Sequence, residues 1–136
     1  MLAPVVADPL ERTRPNRRTV LVVEDDPLIA DLMAEMLDGS GYAVERADTA
    51  AEARRKIGQS RPALVVLDLI LPDLDGLLLC ADIRRETDVP IIVVSGTKRQ
   101  RDAVLSLRLG ADDFVTKPFD LAEFEERIKT VLRRVG

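Results

Sequence analysis

The chain has 136 residues, 46% hydrophobic and 32% charged, with a net charge of −4, an ordinary composition for one globular domain with a full core. The four arginines of residues 1–18 outnumber Asp8 and Glu11 by two, leaving −6 for residues 19–136, which argues against direct, sequence-independent binding to nucleic-acid phosphates. There is no histidine, which excludes Ser-His-Asp and Cys-His catalysis and histidine metal sites; the single cysteine, Cys80, excludes an internal disulfide and suits a reducing cytosol as a small apolar helix residue.

Residues 1–18 hold three prolines and four arginines without periodicity, so they are expected to form a disordered arm before a folded domain at 19–136. Met1–Ala7 is too short for a signal peptide, and no uncharged run approaches the roughly 20 residues of a membrane span. A cytoplasmic domain without membrane contact is the expectation. Thr19–Val23 reads as a buried strand running into Glu24-Asp25-Asp26-Pro27. From Leu28, apolar residues at 28/29, 32/33 and 36/37 predict an amphipathic helix closed by Gly39-Ser40-Gly41. Tyr42–Arg46 is a second strand, its alternation suiting a place nearer an edge. Thr49 can cap a short helix through Ile57, with Ala50, Ala53 and Ile57 inward.

Leu64–Leu67 is an apolar run ending at a lone carboxylate, Asp68. Such a run predicts a strand buried on both faces of a parallel sheet, with Asp68 at the carboxyl end, where open α/β sheets place ligands. A helix from the Asp73–Gly76 turn to about Glu86 follows. Then come a strand at Val89–Val94 ended by Ser95-Gly96, a helix over about Lys98–Leu109 stopped at Gly110, and a strand at Asp112–Thr116 ended by Lys117-Pro118. The last helix starts at Asp120, with Leu121, Phe124, Ile128, Val131 and Leu132 facing the core. Five strands alternating with five helices predict a flavodoxin-like, doubly wound five-stranded parallel sheet of order 2-1-3-4-5.

In that order the first, third, fourth and fifth strands are neighbours, and their carboxyl ends bring Glu24, Asp25, Asp26, Asp68, Ser95 and Lys117 to one rim. Plainer roles compete. Asp26 before Pro27 is better read as a helix cap and Asp73 and Asp75 look like turn and cap residues, while a cap role for Ser95 and a surface role for Lys117 stand level with a site role. Capping does not account for Glu24, Asp25 and Asp68. Three carboxylates beneath two loops repel one another unless a cation joins them, and an all-oxygen set suits a hard ion such as Mg²⁺. With a lysine and a hydroxyl added, the rim suits a phosphoryl group. Asp68 would be nucleophile and acceptor, Lys117 and the ion would neutralise oxygens, and Ser95 would hydrogen-bond one.

The segments VLVVEDD, LVVLDLILPDLDG, PIIVVSG and ADDFVTKPF together resemble, over residues 19–135, the response-regulator receiver domain of two-component signalling. The resemblance implies that Glu24 and Asp25 form the acidic pair, with Asp25 a direct ligand of Mg²⁺ (or Mn²⁺ in its place). It implies that Asp68 is the phosphoacceptor for a sensor histidine kinase and that the main-chain carbonyl of Ile70 completes the protein's share of the metal shell. Ser95 becomes the switch hydroxyl, Phe114 the switch aromatic and Lys117 the phosphate-contacting lysine, with Lys117-Pro118 expected cis. Serine here replaces the commoner threonine, and phenylalanine the frequent tyrosine. Phe114 is expected to turn inward when Ser95 is drawn to the phosphoryl group, remodelling the face of the fourth helix, fifth strand and fifth helix.

ADDFVTKPF and the tail EFEERIKTVLRR resemble the OmpR/PhoB branch most, whose receivers precede a winged-helix DNA-binding domain. The chain is therefore expected to be a piece of a longer transcription regulator, or a receiver acting through a separate partner protein. The branch forms homodimers through three charge pairs on the face just named. Of these only Asp113 with Arg127 is kept; Ala103 faces Glu123, and Arg108 faces Lys129, a like-charge pair. Leu105 and Leu109, expected to be exposed, suggest either a different partner surface or scattered surface leucines, which are common.

Three other readings fit less well. An aspartyl phosphohydrolase needs a carboxylate two residues after its nucleophile, where Ile70 stands. A flavodoxin-type cofactor site needs a hydroxyl- and glycine-rich loop after the first strand, where three acids stand. A pseudo-receiver would not keep every site residue. A signalling switch rather than an enzyme releasing a product is expected. Ile70 and Thr97 offer no obvious group to orient a water, so the phosphoryl state is expected to be slow to decay.

Overall fold

The computed structural model describes residues 17–97 and 99–135; residues 1–16, most of the expected arm, lie outside the described residues. Arg17 donates to the main-chain carbonyls of Gly41 (3.0 Å) and Tyr42 and to Asp38, so the chain is already anchored two residues before the first strand. Five strands and five helices alternate: β1 Thr19–Val23, α1 Pro27–Gly39, β2 Ala43–Ala47, α2 Ala50–Ser60, β3 Leu64–Leu67, α3 Gly76–Glu86, β4 Ile91–Ser95, α4 Gln100–Arg108, β5 Asp113–Thr116 and α5 Leu121–Val135. All four pairings are parallel and the order is β2-β1-β3-β4-β5, as expected from the sequence.

The period-2 alternation of a strand divides each apolar run between two cores. Val20, Val22, Leu64, Val66, Ile92 and Val94 meet Met33 and Leu37 of α1 and Phe124, Ile128 and Val131 of α5. Leu21, Val23, Val65, Leu67, Ile91 and Val93 meet Ala50 and Ala53 of α2 and Leu79, Cys80 and Ile83 of α3. Each fully buried Leu, Ile or Val contributes about 1.5–3 kcal/mol, and this two-sided burial holds the central strands in register. Cys80 is fully buried, and burial pushes its thiol up to about 11. It therefore acts as an apolar helix residue.

The ends of the elements differ in places from expectation. Asp26 caps α1, accepting from the Leu28 amide at 3.0 Å, with Pro27 at the first helical position. Thr49 caps α2, but this helix runs past Ile57 to Ser60 and closes at Arg61 in the left-handed region (φ 48°). Pro62 disfavours helical geometry at the residue before it, and Gly58 is no barrier. Leu121, expected inward, is 40% exposed: α5 starts beyond the end of β5, and its buried stripe begins only at Phe124. Leu109, expected outward, is half-buried against the Ile91 side of the core. Gly110 (φ 123°) lies under Arg84, whose guanidinium donates to the Gly110 carbonyl at 2.7 and 3.1 Å. A Cβ there would lie 2.6 Å from Arg84 Cγ, so both conformation and space require glycine.

Candidate functional site

The parallel ladder continues past the ends of the strands and thereby positions the site. The Glu24 amide donates to the Ala47 carbonyl (3.0 Å), that of Asp68 to Val23 (3.0 Å) and that of Lys117 to Ser95 (2.9 Å). Glu24, Asp68 and Lys117 are thus fixed by main-chain bonds to neighbouring strands. The structure brings them together: Lys117 Nζ lies 2.8 Å from Glu24 Oε1 and 3.1 Å from Asp68 Oδ2. The free oxygen of each acid is also bonded, Glu24 Oε2 by the Asp26 amide and Asp68 Oδ1 by the Ile70 amide, both at 3.2 Å. The Lys117-Pro118 bond is cis.

Glu24 and Asp68 are only 4% and 5% exposed, while Asp25 is open to solvent. Burial raises the Glu24 carboxyl above its usual range; the Lys117 ammonium pulls it down, while the neighbouring Asp68 charge adds to the rise. For Lys117, burial works against the charged form, but the bonds and charges of Glu24 and Asp68 outweigh it and raise its pKa. One carboxylate oxygen each from Glu24, Asp25 and Asp68 lies within 4.8 Å of the others. Three clustered acids, two of them bonded to one ammonium, leave an excess of negative charge, and each acid offers oxygen. That donor set fits a hard divalent cation.

Two loops border the site. Between β3 and α3, Ile70 and Asp75 form an antiparallel bridge and the Gly76 amide donates to Leu69 O at 2.8 Å. A Cβ on Gly76 would lie 2.7 Å from the carbonyl oxygens of Asp68 and Leu69, so a side chain there would displace the backbone of Asp68 itself. Asp75 caps α3 through the Leu77 amide. Asp73 reaches across to cap α2, accepting from the amides of Ala50 (2.8 Å) and Ala51 (3.1 Å). Those amides hold its carboxyl below the usual range.

In the loop between β4 and α4, Ser95 is fully buried and its Oγ accepts from the Thr97 amide at 3.3 Å. Ser95 is a strand residue and not a helix cap; the cap position of α4 is Arg99, which makes no side-chain capping bond. Phe114 is half-buried against the core on the α2–α3 face. The roles of Asp73 and of the loop after Ser95 escaped the sequence reading. The available signal was Asp73-Leu74-Asp75 before Gly76, two carboxylates where α3 has use for one.

Of the residues expected on a dimer face, Asp113 and Arg127 pair with each other within the chain. Arg127 Nη1 lies 3.0 and 2.9 Å from the two carboxylate oxygens of Asp113, and Nη2 lies 3.1 Å from Glu123. These bonds, Asp113 first, raise the Arg127 pKa. Ala103, Leu105 and Arg108 lie on α4, where Val104, Leu105 and Leu107 are exposed.

The doubly wound sheet thus gathers a buried aspartate, two further acids and a lysine at its carboxyl rim. Residues 20–129 match the family described as the response regulator receiver domain, and the chain belongs to that family. Its relatives are OmpR/PhoB-type regulators. It is 39% identical over 119 residues to the transcriptional regulatory protein BaeR of Escherichia coli O6:H1, covering 88% of this chain and 50% of that one. It is 44% identical over 117 residues to the transcriptional regulatory protein CseB of Streptomyces coelicolor, covering 86% and 50%. The chain therefore spans about half the length of these curated relatives. Among solved structures, a CheY-like receiver domain protein of Methanospirillum hungatei superposes with a TM-score of 0.83 at 32% identity, covering 88% of this chain and 96% of that one. The BeF3-activated N-terminal receiver domain of Klebsiella pneumoniae RstA gives 0.82 at 32%, covering 85% and 99%. Among the described residues no helix is long and apolar enough to cross a membrane.

Proposed function

We propose that this chain is a phosphorylation-operated switch of the cytoplasm in which Asp68 accepts a phosphoryl group from a sensor histidine kinase. One observation carries the reading: a single ammonium, Lys117, bonds both Glu24 and Asp68 at the sheet's rim, so the acceptor carboxylate is held in place beside the charge that would receive the phosphoryl oxygens. An Asp68 carboxylate oxygen attacks phosphorus, forming an acyl phosphate as the donor's N–P bond breaks and the histidine leaves. Lys117 turns from the carboxylate to an oxygen of the new group, and Ser95 donates its hydroxyl to another. Asp25, Asp68 and the Ile70 carbonyl, with Glu24 beside them, would hold Mg²⁺ (or Mn²⁺), which supplies positive charge to the transferred oxygens. Without a carboxylate or amide side chain at Ile70 or Thr97 to orient a water, the acyl phosphate persists.

The output lies beyond this domain, in a DNA-binding segment or a partner protein, reached through the α4–β5–α5 face. A homodimer through this face and a separate output partner are both candidates; the branch's usual pairing would set Arg108 against Lys129, and Asp113 and Arg127 already bond each other within the chain. Incubation with Mg²⁺ and acetyl phosphate, read by intact mass, should add one phosphoryl group. The gain should vanish in Asp68→Asn and without the metal, and should decay over minutes or longer. Decay within seconds would overturn the slow-hydrolysis part; no mass gain, or one retained in Asp68→Asn, would overturn the reading itself.

A further inference from the structure

α4 is the helix least committed to the core. Ser106 is its one buried residue, while Val104, Leu105 and Leu107 face solvent. Its cap residue supplies no side-chain bond. Among the described residues one side-chain pair joins the preceding loop to the helix: Thr97 Oγ1 donates to Asp102 Oδ2 at 2.7 Å. The same Thr97 oxygen accepts from the Arg99 amide at 3.3 Å. The Thr97 amide donates to Ser95 Oγ at 3.3 Å. A continuous chain of bonds therefore runs from the hydroxyl beside the acceptor, through Thr97, to the first turn of the most loosely packed helix.

We propose that Thr97 and Asp102 are positioning residues that couple Ser95 to α4. The inference rests on the phosphoacceptor reading of Asp68 and goes beyond it by naming the physical link. When Ser95 turns its hydroxyl to a phosphoryl oxygen, the Thr97 amide follows its acceptor. The Thr97 hydroxyl moves with its own backbone and draws the Asp102 carboxylate, and α4 shifts as a unit because little burial opposes it. Neither residue touches the phosphoryl group. Each acts through Ser95, so its loss uncouples the helix without abolishing the chemistry. A route between two sites is established only by measuring coupling between them.

The test uses ¹⁵N-labelled protein with Mg²⁺ and beryllofluoride, reading two sets of amide shifts: Asp68, Ser95 and Lys117 at the site, and Val104–Arg108 on α4. Thr97→Val keeps the shape and removes the hydroxyl; Asp102→Ala removes the acceptor. In both, site shifts should stay near wild type while α4 shifts fall to half or less. Thr97→Ser, which keeps the hydroxyl, should restore them. The double variant should be no worse than either single one, the non-additivity expected of one connected unit. Undiminished α4 shifts in Thr97→Val and Asp102→Ala would overturn the relay, and so would failure of Thr97→Ser to restore them. Absence of site shifts in the wild type would instead overturn the phosphoacceptor reading, and the relay with it. Matching thermal unfolding curves show that each variant is folded.

Discussion

The two loops beside Asp68 are built on opposite plans. After β3 the chain is tied at every step: Ile70 bridges Asp75, Asp75 caps α3, Asp73 caps α2, and Gly76 packs directly on the backbone of Asp68 and Leu69. The helix that follows buries Leu79, Cys80 and Ile83. After β4, among the described residues, Thr97–Asp102 is the one side-chain pair tying the loop to its helix, and that helix has one buried residue. Both loops start from equally buried strands, so the difference is local. It places Asp68 on a rigid wall and the Ser95 hydroxyl next to a loosely packed helix.

The sharpest way to break that contrast is to hollow the rigid side. Leu79→Ala removes a fully buried side chain and should cost about 3 kcal/mol in urea unfolding, within the usual range for buried leucines. Gly76→Ala should cost about 2 kcal/mol, because its Cβ meets backbone that cannot swing away. It should also slow acetyl-phosphate labelling, since the clash is with the acceptor's own carbonyl.

A smaller effect is expected at Asp73. Its folded-state carboxyl is held low by the α2 amides, so its contribution is present above the unfolded carboxylate pKa and is lost as pH falls through the lower folded value. Asp73→Asn should therefore be less stable than wild type at neutral pH, and the gap should close on acidification below the ordinary aspartate range. A gap independent of pH would show that the cap does not depend on charge. On the adaptable side, Leu107→Ala truncates a side chain 47% exposed and should change stability by no more than about 0.5 kcal/mol. A large loss there would erase the distinction between the two helices.

The sheet and the rim were legible because their signals are strong and redundant. Three apolar runs and the short Asp112–Thr116 strand each end in a chemically distinctive residue, and the alternation of strand and helix admits few topologies. The boundaries were less so. α2 outran Ile57 because a left-handed Arg61 before Pro62, not Gly58, ends it, and Leu121 turned out because the helix overhangs the sheet. Least visible were the long-range polar contacts. Asp73 looks like a turn residue until the fold brings the start of α2 beside it, and Thr97 with Asp102 looks like ordinary loop and helix surface. Helical periodicity records which face is apolar, not which hydroxyl meets which acid across a bend.

The main-chain bonds at Glu24, Asp68 and Lys117 have a consequence for durability. These three residues hang from the sheet's own hydrogen-bonded lattice, so partial opening of the surrounding loops does not scatter them. Their arrangement should survive until the global transition, and hydrogen exchange at these amides should approach the slowest in the molecule.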